Sequence, residues 1–473
     1  MVIFCSRKLL WASAITLLPA LSLWAQPTAA GPQQQAILTL PALIDSATHH
    51  LPVLLQKQAL VNAAKAGVTD ARHTFLPNSY VGDELSVGSD NALPGSYYSF
   101  GLIPSVSSGI NPAGNSQAAG GNIAFLFNEY ELVNFGLKKA TIQHAEANTN
   151  VSQADLDRET YLLKWQIGKL FLEIRKSQYQ LSIDSENSAR YSKLYTVIQA
   201  VTRSGIKPGA DSALAMAELS QSRTVYNQTN GQLRQLLQQL SYLTGITADR
   251  ILIDTTSTES NLSTLNLTGL PPDSSLPANP LLDYYTKEKM LYQQTEQLVR
   301  KSYLPKILLT GITWARGSSI DYQDNYKSVP TGWGYQRYNY LAGLTLQYNL
   351  FNLVHRHDKQ AIIHQELVAS DYARQQQQLS LQNVGNKADE GIRTALKNLQ
   401  EIPVQIRSAQ DAFNQKTAQY RAGIINLVDL TNATFVLYRS ESAYVQAVSD
   451  WLSANLDKAA ANGGLDTFIT SIK

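Results

Sequence analysis

A sequence that repeats itself in fixed order is constrained to fold as two copies of one unit, and this chain repeats itself from end to end. Leu76-Pro77 returns as Leu304-Pro305, with Pro52 and Pro280 at matching distances before them. Arg203-Ser204-Gly205-Ile206 returns as Arg421-Ala422-Gly423-Ile424, and an aspartate follows each glycine six residues on, at Asp211 and Asp429. The segment behind keeps step, pairing Ala215 with Ala433, Leu219 with Leu437, Ser222 with Ser440 and Tyr226 with Tyr444. The offset is 228 residues in the early pair and 218 in the late pair, so one loop is shorter in the second copy. Such duplication predicts two similar units packed pseudosymmetrically.

The N-terminus sets the compartment. Arg7 and Lys8 precede an apolar run from Leu9 to Ala25 and then small residues, the pattern of a secretory signal over residues 1–30 with cleavage after Ala25 or Ala30. The only cysteine, Cys5, lies inside that signal, so the exported chain is expected to be free of disulfides. With 39 basic against 37 acidic residues, nothing in the charge invites nucleic acid. Beyond residue 30 no apolar run approaches the roughly 18–20 residues of a membrane-spanning helix. If the chain enters a membrane, it must do so as a β-barrel.

Within each copy the pattern reads helix, strand, loop, strand, long helix, return helix. The first copy spans residues 31–247 and the second 280–456, with a connector at 248–279 and a tail at 457–473. Pro52 to Thr74 is helix-prone and stops at Pro77. Tyr80 to Ser89 alternates with Val81, Leu85 and Val87 on one face, and Asn91 to Gly120 reads as a loop rich in Gly, Ser, Pro and Asn. Ile123, Phe125 and Phe127 then alternate with Asn122, Ala124 and Leu126. In the second copy Ile307 to Trp314 is strand-like. Ala342, Leu344, Leu346, Tyr348 and Leu350 alternate with Gly343, Thr345, Gln347 and Asn349, which is the apolar-out, polar-in pattern of a water-filled membrane barrel. Long helical tracts follow, Leu137 to Arg203 and Val354 to Arg421, and in the first Leu163, Ile167, Leu170, Ile174 and Leu181 fall at coiled-coil spacing. A tract of about 67 residues would be roughly 100 Å long. Return helices are expected at Ala213 to Leu243 and Leu430 to Leu456.

Four strands are too few to close a barrel, whose minimum is about eight. Open edges cannot face lipid, so several copies must share one barrel. Three copies would supply twelve strands, a physical reason to expect a homotrimer.

The doubled Leu-Pro strand starts, the strand exits at Asn134-Phe135-Gly136 and Leu350-Phe351-Asn352, and the paired Gly-x5-Asp tips together resemble the TolC-type outer membrane efflux and secretion channels of Gram-negative bacteria. The resemblance covers Leu40 to about Leu456. It implies an α+β membrane protein in which four strands per protomer join a shared 12-stranded trimeric barrel, continued by an α-helical barrel across the periplasm. It further implies a passive outer membrane duct for small molecules or proteins, without a cofactor, served by a periplasmic adaptor and an inner-membrane ABC or proton-driven transporter. Carried over residue by residue, the gate falls on Asp429 and Asn432, and the latch on Tyr420 and Asp211. Adaptor-docking tips fall on Arg203, Ser204, Gly205 and Ile206 and on Arg421, Ala422, Gly423 and Ile424. Asn432 stands where the family has a second aspartate, and Ile425 where its latch has an arginine. Asn352-Leu353-Val354-His355-Arg356-His357 follows Phe351, where family members often carry glycines.

Plainer readings stand beside these. Asp211 and Asp429 suit helix N-termini by charge alone, and the tip glycines suit left-handed helix stops. His355, His357 and His364 form no convincing metal set. No catalytic motif is present, so an enzyme has no support in the sequence. A periplasmic coiled-coil scaffold is the alternative; it would need the helices but not the alternating strands.

Overall fold

The computed structural model describes residues 38–90, 114–205, 208–253 and 279–472. The expected signal segment with Cys5, most of the Asn91–Gly120 loop, Ile206, and residues 254–278 of the connector lie outside the described residues. From Ile37 to Lys473 the two copies form one compact unit rather than separate bodies.

Each copy is built around one long helix flanked by shorter ones. In the first, α3 (Leu137–Arg203, 67 residues) packs against α2 (Pro52–His73) and α4 (Gly209–Thr244). In the second, α6 (Asn352–Arg421, 70 residues) packs against α5 (Pro280–Ser302) and α7 (Leu427–Asn462). Proline opens both α2 and α5, where its missing N–H costs no hydrogen bond. Pro403 sits inside α6.

Two elements depart from the expected layout. A helix α1 (Leu40–His50) precedes Pro52, with Leu40 and Leu43 fully buried. Residues 457–472 of the expected C-terminal tail are folded. The return helix α7 runs on to Asn462, and α8 (Leu465–Ser471) places Leu465, Phe468 and Ile469 in the main core. Burying three large apolar side chains is reason enough for that segment to fold back. Ile251 and Ile253, at the start of the connector, join the same core.

Four strands form one antiparallel sheet in the order β1-β2-β3-β4. They are β1 (Asn78–Ser89), β2 (Ala118–Val133), β3 (Lys306–Ser318) and β4 (Arg337–Gln347). β2 starts within the expected loop. β4 begins earlier than the alternation suggested and stops before Tyr348, because the Asn349 side chain turns the chain by accepting from the Phe351 N–H. The outer sides of the edge strands β1 and β4 have no strand partner among the described residues.

Register sorts the strand residues onto two unlike faces. One face carries Val81, Leu85, Leu126, Leu309, Leu344 and Leu346, with Asp83 its only formal charge. The other carries Glu84, Glu129, Glu131, Lys306, Arg316 and Arg337. Lys306 pairs there with Glu131. Asp83 is met by the Tyr335 hydroxyl at 3.0 Å, from the loop between β3 and β4. That loop lies on the sheet because Gly120 and Gly317 have no side chains: a Cβ on them would meet Val329 O at 2.1 Å and Gly334 O at 1.9 Å.

Candidate gate at the paired helix tips

The ends of α3 and α6, farthest along the chain from the strands, turn through glycines in the left-handed region, Gly205 at φ 74° and Gly423 at φ 73°. Only glycine adopts this conformation without steric cost. At the second tip the Gly423 N–H donates to Tyr420 O and the Ile424 N–H to Gln419 O, satisfying the last carbonyls of α6. Asn426 then caps α7, its Oδ1 accepting from the Asp429 N–H at 2.9 Å. The first tip has no side-chain cap; Pro208 leads into α4. Arg203, Ser204, Arg421, Ala422 and Ile424 are exposed, as is Asn432, and Asp429 and Asp211 are half-buried.

The two tips meet. Ile198 of α3, Ala215 of α4, Tyr420 of α6 and Leu427 and Leu430 of α7 form a small buried cluster. Tyr420 is buried within it, and its phenol pKa is pushed up by burial first and then by the nearby Asp211 carboxylate. The sequence placed these two residues on different copies; the structure brings them within electrostatic reach. Ile425 packs against the same cluster as an apolar residue.

Further from the tips, the contacts between copies turn polar. Asp184 of α3 is fully buried and accepts from Thr229 Oγ1 of α4 at 2.6 Å and Tyr438 OH of α7 at 3.0 Å. Gln180 Nε2 also donates to it at 2.8 Å and to Ser442 Oγ at 3.0 Å. One carboxylate thus ties three helices. Burial, then the Asp184 charge, raises the Tyr438 pKa. Nearby, Arg190 grips Glu441 with two parallel bonds of 2.9 and 2.6 Å. The sequence reading missed all of these residues. One signal was available: the apolar series ending at Leu181 continues three residues on to Asp184, a charged residue in a buried stripe.

His355, His357 and His364 are exposed on α6, and among the described residues no cluster of His, Cys, Asp and Glu could hold a metal. No described helix is long and apolar enough to cross a membrane.

Residues 272–464 match the outer membrane efflux protein family. VceC, an outer membrane protein of Vibrio cholerae, superposes with a TM-score of 0.69 at 13% identity, covering 90% of this chain and 96% of that one. The CmeC outer membrane channel of Campylobacter jejuni gives 0.67 at 14% identity, covering 90% and 86%. The MtrE outer membrane channel of Neisseria gonorrhoeae, solved in an open state, gives 0.65 at 17%, covering 90% and 89%. The chain shares the fold of these outer membrane channels, and its residues 272–464 are similar to the outer membrane efflux protein family. A search of curated proteins returned no match. The family model is one of outer membrane efflux proteins, and the solved structures that share the fold are outer membrane proteins and channels. The family is one of ducts rather than an enzyme class.

Proposed function

We propose that three copies of this chain close one twelve-stranded barrel and form the passive exit duct of a tripartite efflux or type I secretion system. The observation that supports this most is the open sheet. Its β1 and β4 edges are unpaired among the described residues, and its faces divide into one nearly uncharged and one carrying six charges. Unpaired edges are unstable in lipid, and edge-to-edge pairing of β4 with the next copy's β1 removes them. The nearly uncharged face then meets lipid and the charged face lines the water-filled lumen. A periplasmic scaffold would have no use for that division.

In this reading cargo arrives from an inner-membrane ABC or proton-driven transporter through a periplasmic adaptor. The adaptor docks on the tips, at Arg203 to Ile206 and Arg421 to Ile424, where Arg203, Ser204, Gly205 and Arg421 to Ile424 are exposed. Threefold symmetry makes rings of any residue facing the axis, so Asp429 and Asn432 would form the gate, and Tyr420 with Asp211 its latch. With Ile425 in place of an arginine, the latch has no ionic link and is weak.

Native mass measurement of the detergent-solubilised protein should give a trimer, and its insertion into planar bilayers should give ion-conducting pores. A monomer, or a trimer that conducts nothing, would sink the proposal.

A further inference from the structure

The charged face of the sheet holds more than charges. Registered pairing sets Tyr80, Phe127, Ile312 and Leu341 in one row across all four strands, and Phe125 and Trp314 in the next. The Tyr80 and Phe127 rings are 6.0 Å apart. Phe125 reaches over Gly82, where a Cβ would stand 2.6 Å from its ring, so the glycine leaves room for the ring against β1. On the loop side this apolar patch is bounded by Glu84, Arg316 and Arg337, and on the helix side by Glu129, Glu131 and Lys306. The helix side therefore carries one excess negative charge per chain and the loop side one excess positive charge.

Lipid cannot be the reason for these rings, because the opposite face of the same strands already supplies an apolar surface with a single charge. A water-filled lumen ordinarily has polar walls, so six large apolar side chains there need an occupant. We infer that, in the assembled barrel, Tyr80, Phe125, Phe127, Ile312, Trp314 and Leu341 form an internal aromatic belt that transiently binds aromatic cations in transit. The charge order argues for cations: a solute coming from the helices meets the Glu129–Glu131 side first, then rings whose faces attract positive charge. Successive same-face rows lie roughly 7 Å apart, so two rows match the width of a fused aromatic ring system. This inference rests on the duct reading above.

The test is block of single-channel current in a bilayer holding the full-length trimer, with ethidium as the aromatic cation added on the helix side. Tetramethylammonium serves as a cation without rings, and 1-naphthalenesulfonate as an aromatic anion. Ethidium should give resolved blocks that the other two do not. Phe127→Ser and Trp314→Ser should each shorten ethidium blocks about tenfold, and Glu129→Gln should make them rarer. Should a serine variant fail to assemble, Phe127→Leu keeps an apolar side chain without the ring and should still shorten the blocks. Normal conductance with equal block by ethidium and tetramethylammonium, or blocks unchanged in all these ring variants, overturns the belt alone. Absence of conductance strikes the duct reading instead.

Discussion

The main core and the tip cluster differ in both size and kind of contact. The core draws buried apolar side chains from every helix α1 to α8, among them Leu43, Ile174, Leu240 and Leu456. The tip cluster has five members, one of them a tyrosine beside a carboxylate. Between them the copies are joined by the buried Asp184 and the Arg190–Glu441 pair. Apolar burial scales with area, whereas polar contacts can be exchanged for water at modest net cost. The difference teaches that stability is concentrated away from the tips, leaving them free to rearrange without unfolding the rest.

The comparison breaks if a core truncation is harmless. Leu240→Ala empties a fully buried site and should cost about 2–5 kcal/mol, lowering the melting temperature in detergent while surviving pores conduct normally. Asp184→Ala should come next, because Tyr438, Thr229 and Gln180 lose their acceptor, a cost of about 1–3 kcal/mol. If its melting curve matches the wild type, the three-helix tie contributes nothing.

Alkali probes the same middle region. Burial and then Glu218 raise the Tyr191 pKa above its ordinary value, so the folded state holds that phenol neutral. Its stabilising contribution is fully present below the unfolded value of about 10 and is lost as pH climbs through the raised folded value. The melting temperature should therefore fall above about pH 10, and less steeply in Tyr191→Phe.

At the tips the effects should leave stability and enter conductance. Tyr420→Phe removes a hydroxyl near Asp211 and should cost about 1 kcal/mol or less while raising the open fraction in bilayer recordings. An unchanged open fraction removes Tyr420 from the gate. Asp429→Asn should have the smallest effect on melting, since Asn426 caps that turn through the backbone N–H. Its mark should be weaker cation selectivity and weaker block by multivalent cations. If neither changes, Asp429 serves only its helix end.

Much of the helical layout could be read beforehand because its signals are local. The Leu137, Arg203 and Arg421 boundaries follow from a strand exit and from glycine stops. The C-terminal segment could not be read, because Leu465, Phe468 and Ile469 form a helix for a core supplied by distant parts of the chain. Alternation showed that Phe125 and Phe127 share a face, but only the register with β1 and β3 puts them beside Glu84 and Arg316. At the candidate site, the repeated Gly-x5-Asp spacing marked Asp211 and Asp429 in the sequence. Tyr438, Thr229 and Glu441 carried no such mark, since their roles come from three helices converging on α3.

The unbroken runs of 67 residues in α3 and 70 in α6 act as a caliper. At 1.5 Å per residue each spans roughly 100 Å, with two shorter helices lying along it. An extra turn in α3 would slide its tip past that of α6 and carry Asp184 out of line with Tyr438, unless the other long helix and both return helices grew by the same turn. The chain keeps this fold at only 13–17% identity to channels that share it. In the proposed duct, the two long helices would set how far the tips stand from the barrel.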